Sequence, residues 1–116
     1  MVEAWKESVA MKKVALLDLG KPLNAASAIK RIRTLWRLGN YTWTRHAQER
    51  LCERGLDTAD VETVILDGRV VEISRPGTEW RYKVEGRTVE GRYAACVVEM
   101  RGNLLTVVTV MLSRRR

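Results

Sequence analysis

Val61-Glu62-Thr63-Val64-Ile65-Leu66-Asp67-Gly68-Arg69-Val70-Val71-Glu72-Ile73-Ser74 is the stretch in which the chain changes its period. Before Gly68, the residues Val61, Val64 and Ile65 recur at helical spacing and face inward. Asp57 or Thr58 caps this helix, Asp60 stands in its favourable first turn, and Gly68 ends it. After Gly68 the pattern has period two, and Arg69–Ser74 reads as a strand. Helices come first and strands follow, which is an α+β order.

Working downstream, Arg75-Pro76-Gly77-Thr78 supplies the fixed and permissive backbone angles of a turn. Residues 80–85 form a second strand, with Trp80, Tyr82 and Val84 on one face and Arg81, Lys83 and Glu85 on the other. Residues 86–91 turn the chain into a third strand over 92–100. Arg101-Gly102-Asn103 is a tight turn, and Leu104–Leu112 is a fourth, very apolar strand, suited to the centre of a sheet. Turns this short make an antiparallel meander. The expected fold is α+β, with N-terminal helices packed on one face of a four-stranded antiparallel sheet.

Working upstream, Thr44 suits an N-cap and Gly55 the left-handed position past a helix end. Between them His46, Arg50 and Arg54 recur every four residues and line one stripe. Ala47 and Leu51 lie on a neighbouring stripe and can face a core. The chain's single histidine thus sits between permanent cations, a combination suited to phosphate chemistry. Residues 40–43 are a short extended link in which Tyr41 and Trp43 can add a strand. Before it, Asn24 caps a helix over 25–38 that Gly39 ends. Its apolar stripe is Ala25, Ala28, Ile29, Ile32, Leu35 and Trp36, and Lys30, Arg31, Arg33 and Arg37 occupy much of the rest. Residues 1–20 are weakly patterned. Val2, Trp5, Val9 and the run 14–19 suit a loose helix that Lys21-Pro22 breaks. Residues 1–40 are therefore read as a helical extension and 41–116 as the α+β domain, together one compact unit.

The 116 residues carry a formal net charge of +7 that is unevenly spread. Residues 24–55 hold seven Lys/Arg against Glu49 and Glu53, and Arg114, Arg115 and Arg116 close the chain. This field favours a polyanionic partner such as RNA or DNA, with Lys30, Arg31, Arg33, Arg37, Arg45 and the Arg114–Arg116 tail as the phosphate-contacting set. The plainer reading is a solvated basic face that aids solubility or attracts an acidic protein. No apolar run approaches the ~20 residues of a membrane helix, and the first residues lack a signal-peptide core. Cys52 and Cys96 are far apart and read as reduced, half-buried thiols, so a cytoplasmic protein is expected. Metal-ligand spacing, a phosphate-cradling glycine loop and a serine triad are absent, and no metal or cofactor is expected.

Residues 41–112 resemble a small domain-of-unknown-function family related to the RelE/ParE and BrnT toxins. The resemblance rests on His46-Ala47, on Arg50 four residues later, and on Arg54-Gly55. It continues through the helix ending at Gly68, a strand over 70–73, Tyr82-Lys83-Val84-Glu85-Gly86, Cys96-Val97-Val98 and the strand 106–110. RelE-like toxins are small basic endoribonucleases, often ribosome-dependent, held inactive by a co-expressed antitoxin. The resemblance therefore implies a metal-independent endoribonuclease, with RNA and an acidic antitoxin as partners. ParE-like relatives act on gyrase instead, so the fold alone does not fix the activity.

Metal-free RNA cleavage needs a group to take the 2′-hydroxyl proton, an acid for the leaving oxygen, and cations on the phosphorane. His46 would be the general base or acid, and Arg50 and Arg54 the phosphate ligands. Arg81 would be a second cation, and Tyr82 an auxiliary acid or stacking residue. Alternation puts Arg81 and Tyr82 on opposite sheet faces, so one pocket should not use both. Structural readings stand beside these: His46 as a hydrogen-bonding residue, Arg50 and Arg54 paired with Asp57, Glu62 or Glu72, and Arg45 with Glu49 as a surface pair worth ~0.3–0.5 kcal/mol. Two further functions compete with cleavage. One is a non-catalytic nucleic-acid-binding module; the other is a protein-interaction domain with Trp5, Trp36 and Trp43 as exposed anchors.

Overall fold

The computed structural model describes residues 21–113. The helix expected within residues 1–20, Trp5, and the arginines Arg114, Arg115 and Arg116 lie outside the described residues. Among the described residues three helices and five strands follow in order: α1 (Ala25–Arg37), β1 (Tyr41–Trp43), α2 (Arg45–Glu53), α3 (Thr58–Asp67), β2 (Arg69–Ser74), β3 (Arg81–Arg87), β4 (Tyr93–Arg101) and β5 (Leu104–Leu112).

Each helix starts at a side chain that fills an orphan amide. Asn24 accepts from the amide of Ser27, and Thr44 from that of Ala47. Asp57 and Asp60 form a reciprocal capping box. Gly39 and Gly55 follow α1 and α2 with positive φ, as a left-handed exit requires. Gly68 ends α3 differently, in an extended conformation. Its requirement is steric, since a Cβ there would collide with the carbonyl oxygens of Glu85 and Val64. A Cβ on Gly86 would in turn press on Gly68 Cα at 3.0 Å. This pair of glycines lets the end of α3 lie directly on β3.

The sheet has five strands in the order β1-β5-β4-β3-β2. The meander β2 to β5 is antiparallel throughout, as expected. The four-stranded antiparallel expectation is corrected by β1, which pairs parallel to β5 in the register Tyr41↔Leu105, Thr42↔Thr106 and Trp43↔Val107. The sheet is therefore mixed. A three-residue strand has no period of its own, and its partner lies more than sixty positions away. β5 is flanked on both sides, by β1 and β4, while β4 is the middle strand.

All three helices lie on one face. Ala28, Ile32, Leu35 and Trp36 of α1 join Ala47 of α2 and Val61, Val64 and Ile65 of α3. They meet Tyr82, Val84, Cys96, Val98, Leu105, Val107 and Val110 from the sheet. α1, placed by sequence in a helical extension, thus shares one core with the sheet. Trp36, expected as an exposed anchor, is buried in the core, and Trp43 is half-buried against it.

Two irregularities shape the sheet. Val71 is the extra residue of a bulge between β2 and β3 and is left exposed. Val108 is the extra residue between β4 and β5, and its carbonyl accepts the Thr44 hydroxyl at 2.8 Å. The Thr44 amide bonds Val107 O at 3.0 Å. Thr44 therefore caps α2 and ties its first turn to β5.

Candidate functional site

α2 is a nine-residue helix in which only Ala47 is fully buried. Its outward stripe carries His46, Arg50 and Arg54 as the spacing predicts. His46 is exposed, and Arg50 donates from Nε to His46 Nε2 at 3.4 Å. A guanidinium has no lone pair to offer, so the imidazole nitrogen is the acceptor in this contact. Arg50 also reaches Glu53 Oε1 at 2.5 Å through its other arm. The sequence offered Asp57, Glu62 or Glu72 as partners that would fix helix to sheet. The structure pairs Arg50 within its own helix instead, one turn on. Arg54 is exposed at the helix end, where its carbonyl accepts from Arg92 at 3.1 Å. Arg45 and Glu49 form the expected surface pair at 3.4 Å.

Arg81 and Tyr82 do not join this group. Tyr82 is 4% exposed in the core, where its hydroxyl accepts the amide of Leu23 at 3.0 Å. It cannot serve as an acid or stacking residue for a surface-bound strand. Arg81 lies on the face of the sheet that the described helices leave open, bonded to Glu99 Oε2 at 2.6 Å. Arg81 and Glu99 are direct cross-strand neighbours, so the register supplies this partner. The sheet stands between Arg81 and His46.

The basic face of α1 also divides. Arg33 is half-buried and donates to the carbonyls of Ile65 at 2.9 Å and Gly68 at 2.7 Å. These are carbonyls at the end of α3, which a helix leaves without internal partners. Arg33 is thus a structural cap, not a phosphate ligand as expected. Arg31 bonds Gly102 O at 2.8 Å and ties α1 to the β4–β5 turn. Lys30 and Arg37 remain exposed.

A broad depression lies elsewhere, near β2 and β3, with a volume of about 1070 Å³. Its charged lining is Asp67, Arg69, Glu72, Lys83, Glu85 and Arg87. Register sets Arg69 opposite Glu85 and Glu72 opposite Lys83, so the charges balance. Sequence reading did not single out this region; the alternating signs along β2 and β3 are the signal that was present. Arg87 stacks over Tyr93 at 4.8 Å.

The two thiols are not alike. Cys52 is exposed and Cys96 buried, which corrects the expectation of two half-buried groups. Burial pushes the Cys96 thiol up to about 12. Among the described residues no group of three or more His, Cys, Asp or Glu could hold a metal ion, and no helix is long and apolar enough to cross a membrane.

A family model described as a domain of unknown function (DUF4258) matches residues 43–112. That span runs from the end of β1 to the end of β5 and includes the whole of α2. No curated protein matches the chain.

Proposed function

The chain belongs to the DUF4258 family, and from that premise we propose that it is a toxin-like, metal-independent endoribonuclease acting across α2. One observation carries this reading: an accessible imidazole and an accessible guanidinium stand side by side, with Arg50 Nε 3.4 Å from His46 Nε2. The resemblance to RelE/ParE and BrnT toxins supports it, and an acidic antitoxin and a cytoplasmic setting belong to the same reading.

In this proposal Arg50 grips the scissile phosphate and Arg54 the next one along the stripe. Phosphate binding draws the guanidinium away and frees the His46 Nε2 lone pair. His46 takes the 2′-hydroxyl proton as the 2′-oxygen attacks its own phosphorus. The bond to the 5′-oxygen breaks and water protonates that oxygen. The products are a 2′,3′-cyclic phosphate and a 5′-hydroxyl. Arg50 stays on the phosphorane oxygens, where negative charge develops. Arg81, Tyr82 and Arg33 have no part in the step.

The test is incubation of purified protein with RNA in a metal chelator, with and without ribosomes. Wild type cleaves, and His46→Ala or Arg50→Ala lowers the rate by ~100-fold, the usual worth of a positioned acid–base group. Intact RNA in both arms overturns the proposal. A second reading, an RNA-binding module without cleavage, is favoured by the exposed Lys30, Arg37 and Arg45, which lie outside the His46 stripe. In that case His46→Ala leaves affinity unchanged, and binding falls steeply with salt.

A further inference from the structure

The sequence offers Tyr41 and Trp43 as strand formers and Trp43 as an anchor for a protein partner, and the structure joins the two residues. The two rings meet edge to face, with centroids 6.5 Å apart. Trp36 stacks on Tyr41 at 4.0 Å and 9° and meets Trp43 at 6.1 Å. Trp36 is the buried floor of this cluster, and its indole N–H is satisfied by Glu62 at 3.0 Å. Tyr41 and Trp43 are only half-buried. Among the described residues neither the Tyr41 hydroxyl nor the Trp43 indole N–H has a hydrogen-bond partner, and neither is sealed from solvent. A rigid aromatic pair with its polar tips turned to water is a recognition surface in waiting.

The backbone of β1 adds to it. Among the described residues β1 is an edge strand, with β5 on one side only. The ladder to β5 uses Asn40 O and Thr44 N, bonded to Leu105 N and Val107 O. In a parallel ladder that alternation turns the amide and carbonyl of Tyr41 and Trp43 to the open edge. Three residues are a poor template for an added peptide strand, whose affinity comes from a row of main-chain bonds. Planar rings beside short donors and acceptors suit a nucleobase better.

Charge and position point the same way. Arg37, in the last turn of α1, and Arg45, with a side chain 91% exposed, flank β1 in sequence. Three residues of chain reach at most ~11 Å, so Trp43 lies close to His46.

We propose that the Tyr41–Trp43 edge is a base-stacking subsite for single-stranded RNA, holding a nucleobase next to the phosphate on α2. This rests on RNA being the ligand but not on its cleavage. A duplex would not serve, because its bases are stacked on one another.

The experiment compares the affinity of the full chain for a labelled single-stranded hexaribonucleotide and for an abasic ribose-phosphate oligomer of equal length. Binding is followed by fluorescence anisotropy at low salt. One stacked base is worth ~1–3 kcal/mol, so wild type should favour the base-bearing strand by roughly 5- to 100-fold. Its tryptophan emission should be quenched by that strand alone. Trp43→Leu, with folding checked by circular dichroism, should abolish the preference and leave abasic binding unchanged. Equal affinity of wild type for the two oligomers overturns the subsite while leaving RNA binding on α2 in place. Failure to bind either oligomer overturns both readings. The wild-type comparison decides the matter even if Trp43→Leu does not fold.

Discussion

Arg81 and Tyr82 are neighbours in β3, yet they face opposite sides of the sheet: Arg81 is paired with Glu99 on the open face, and Tyr82 holds the Leu23 amide inside the core. One step along a strand reverses the side chain. Tyr82 therefore belongs to the packing of the chain's entry into α1. Tyr82→Phe should cost about 1–2 kcal/mol in urea unfolding, because the Leu23 amide loses its acceptor. It should leave RNA cleavage unchanged well below the unfolding midpoint. A loss of cleavage near that of His46→Ala would return Tyr82 to the chemistry.

Arg33 separates from its basic neighbours in the same way. Arg33→Met keeps the aliphatic stem but removes the donors to Ile65 O and Gly68 O. Bonds from a charged donor are worth about 1.5–3 kcal/mol, and a loss of that order is expected in chemical denaturation. Lys30→Ala and Arg37→Ala, at exposed positions, should stay within about 0.5 kcal/mol of wild type. Equal effects at the three positions would contradict the capping role.

Gly68 meets a harder limit. A Cβ at this position collides with two backbone oxygens, of Val64 and Glu85, neither of which is a flexible side-chain end. Gly68→Ala should destabilise by about 2–4 kcal/mol, the range for overpacking against a rigid neighbour. Gly77→Ala, where a Cβ meets nothing within 4 Å, is the control. A thermal shift for Gly68→Ala as small as the control's would refute the close approach of α3 and β3.

Cys96 ties stability to alkaline pH. Its folded-state value is about 12 against an ordinary 9.0, because burial disfavours the thiolate. The folded state keeps a proton that the unfolded state releases. The contribution is complete below about 9 and is lost as pH rises toward 12. The loss is about 1.4 kcal/mol per pH unit in that window. Urea midpoints at pH 8 and 10 should therefore fall further in wild type than in Cys96→Ala, which cancels the other titrating groups. Parallel pH dependence of the two proteins would exclude the effect.

Much of the frame was legible in short stretches of chain. Asn24 and Thr44 were readable as caps, and Asp57 as one of two candidates beside Thr58, because each bonds an amide three residues away. Arg69–Ser74 and Leu104–Leu112 were bounded by turn residues and have those limits in the fold. The stripe of His46, Arg50 and Arg54 followed from helical spacing alone. What surrounds that stripe did not, since Arg50 had acidic residues on several elements to choose among and took the one on its own helix.

The sequence by itself determined an α+β chain, an antiparallel meander after Gly68, and an imidazole sharing one helical stripe with two arginines. Those properties arise from interactions over three to five residues, which spacing encodes directly. Only the tertiary structure decided that Tyr41–Trp43 joins β5 in parallel, that Arg33 caps α3, that Tyr82 holds the Leu23 amide, and that Arg81 and His46 are divided by the sheet. Each of these depends on which distant backbone atoms come within bonding reach. That is fixed by strand register and by the packing of helices on one face, and periodicity carries no record of it.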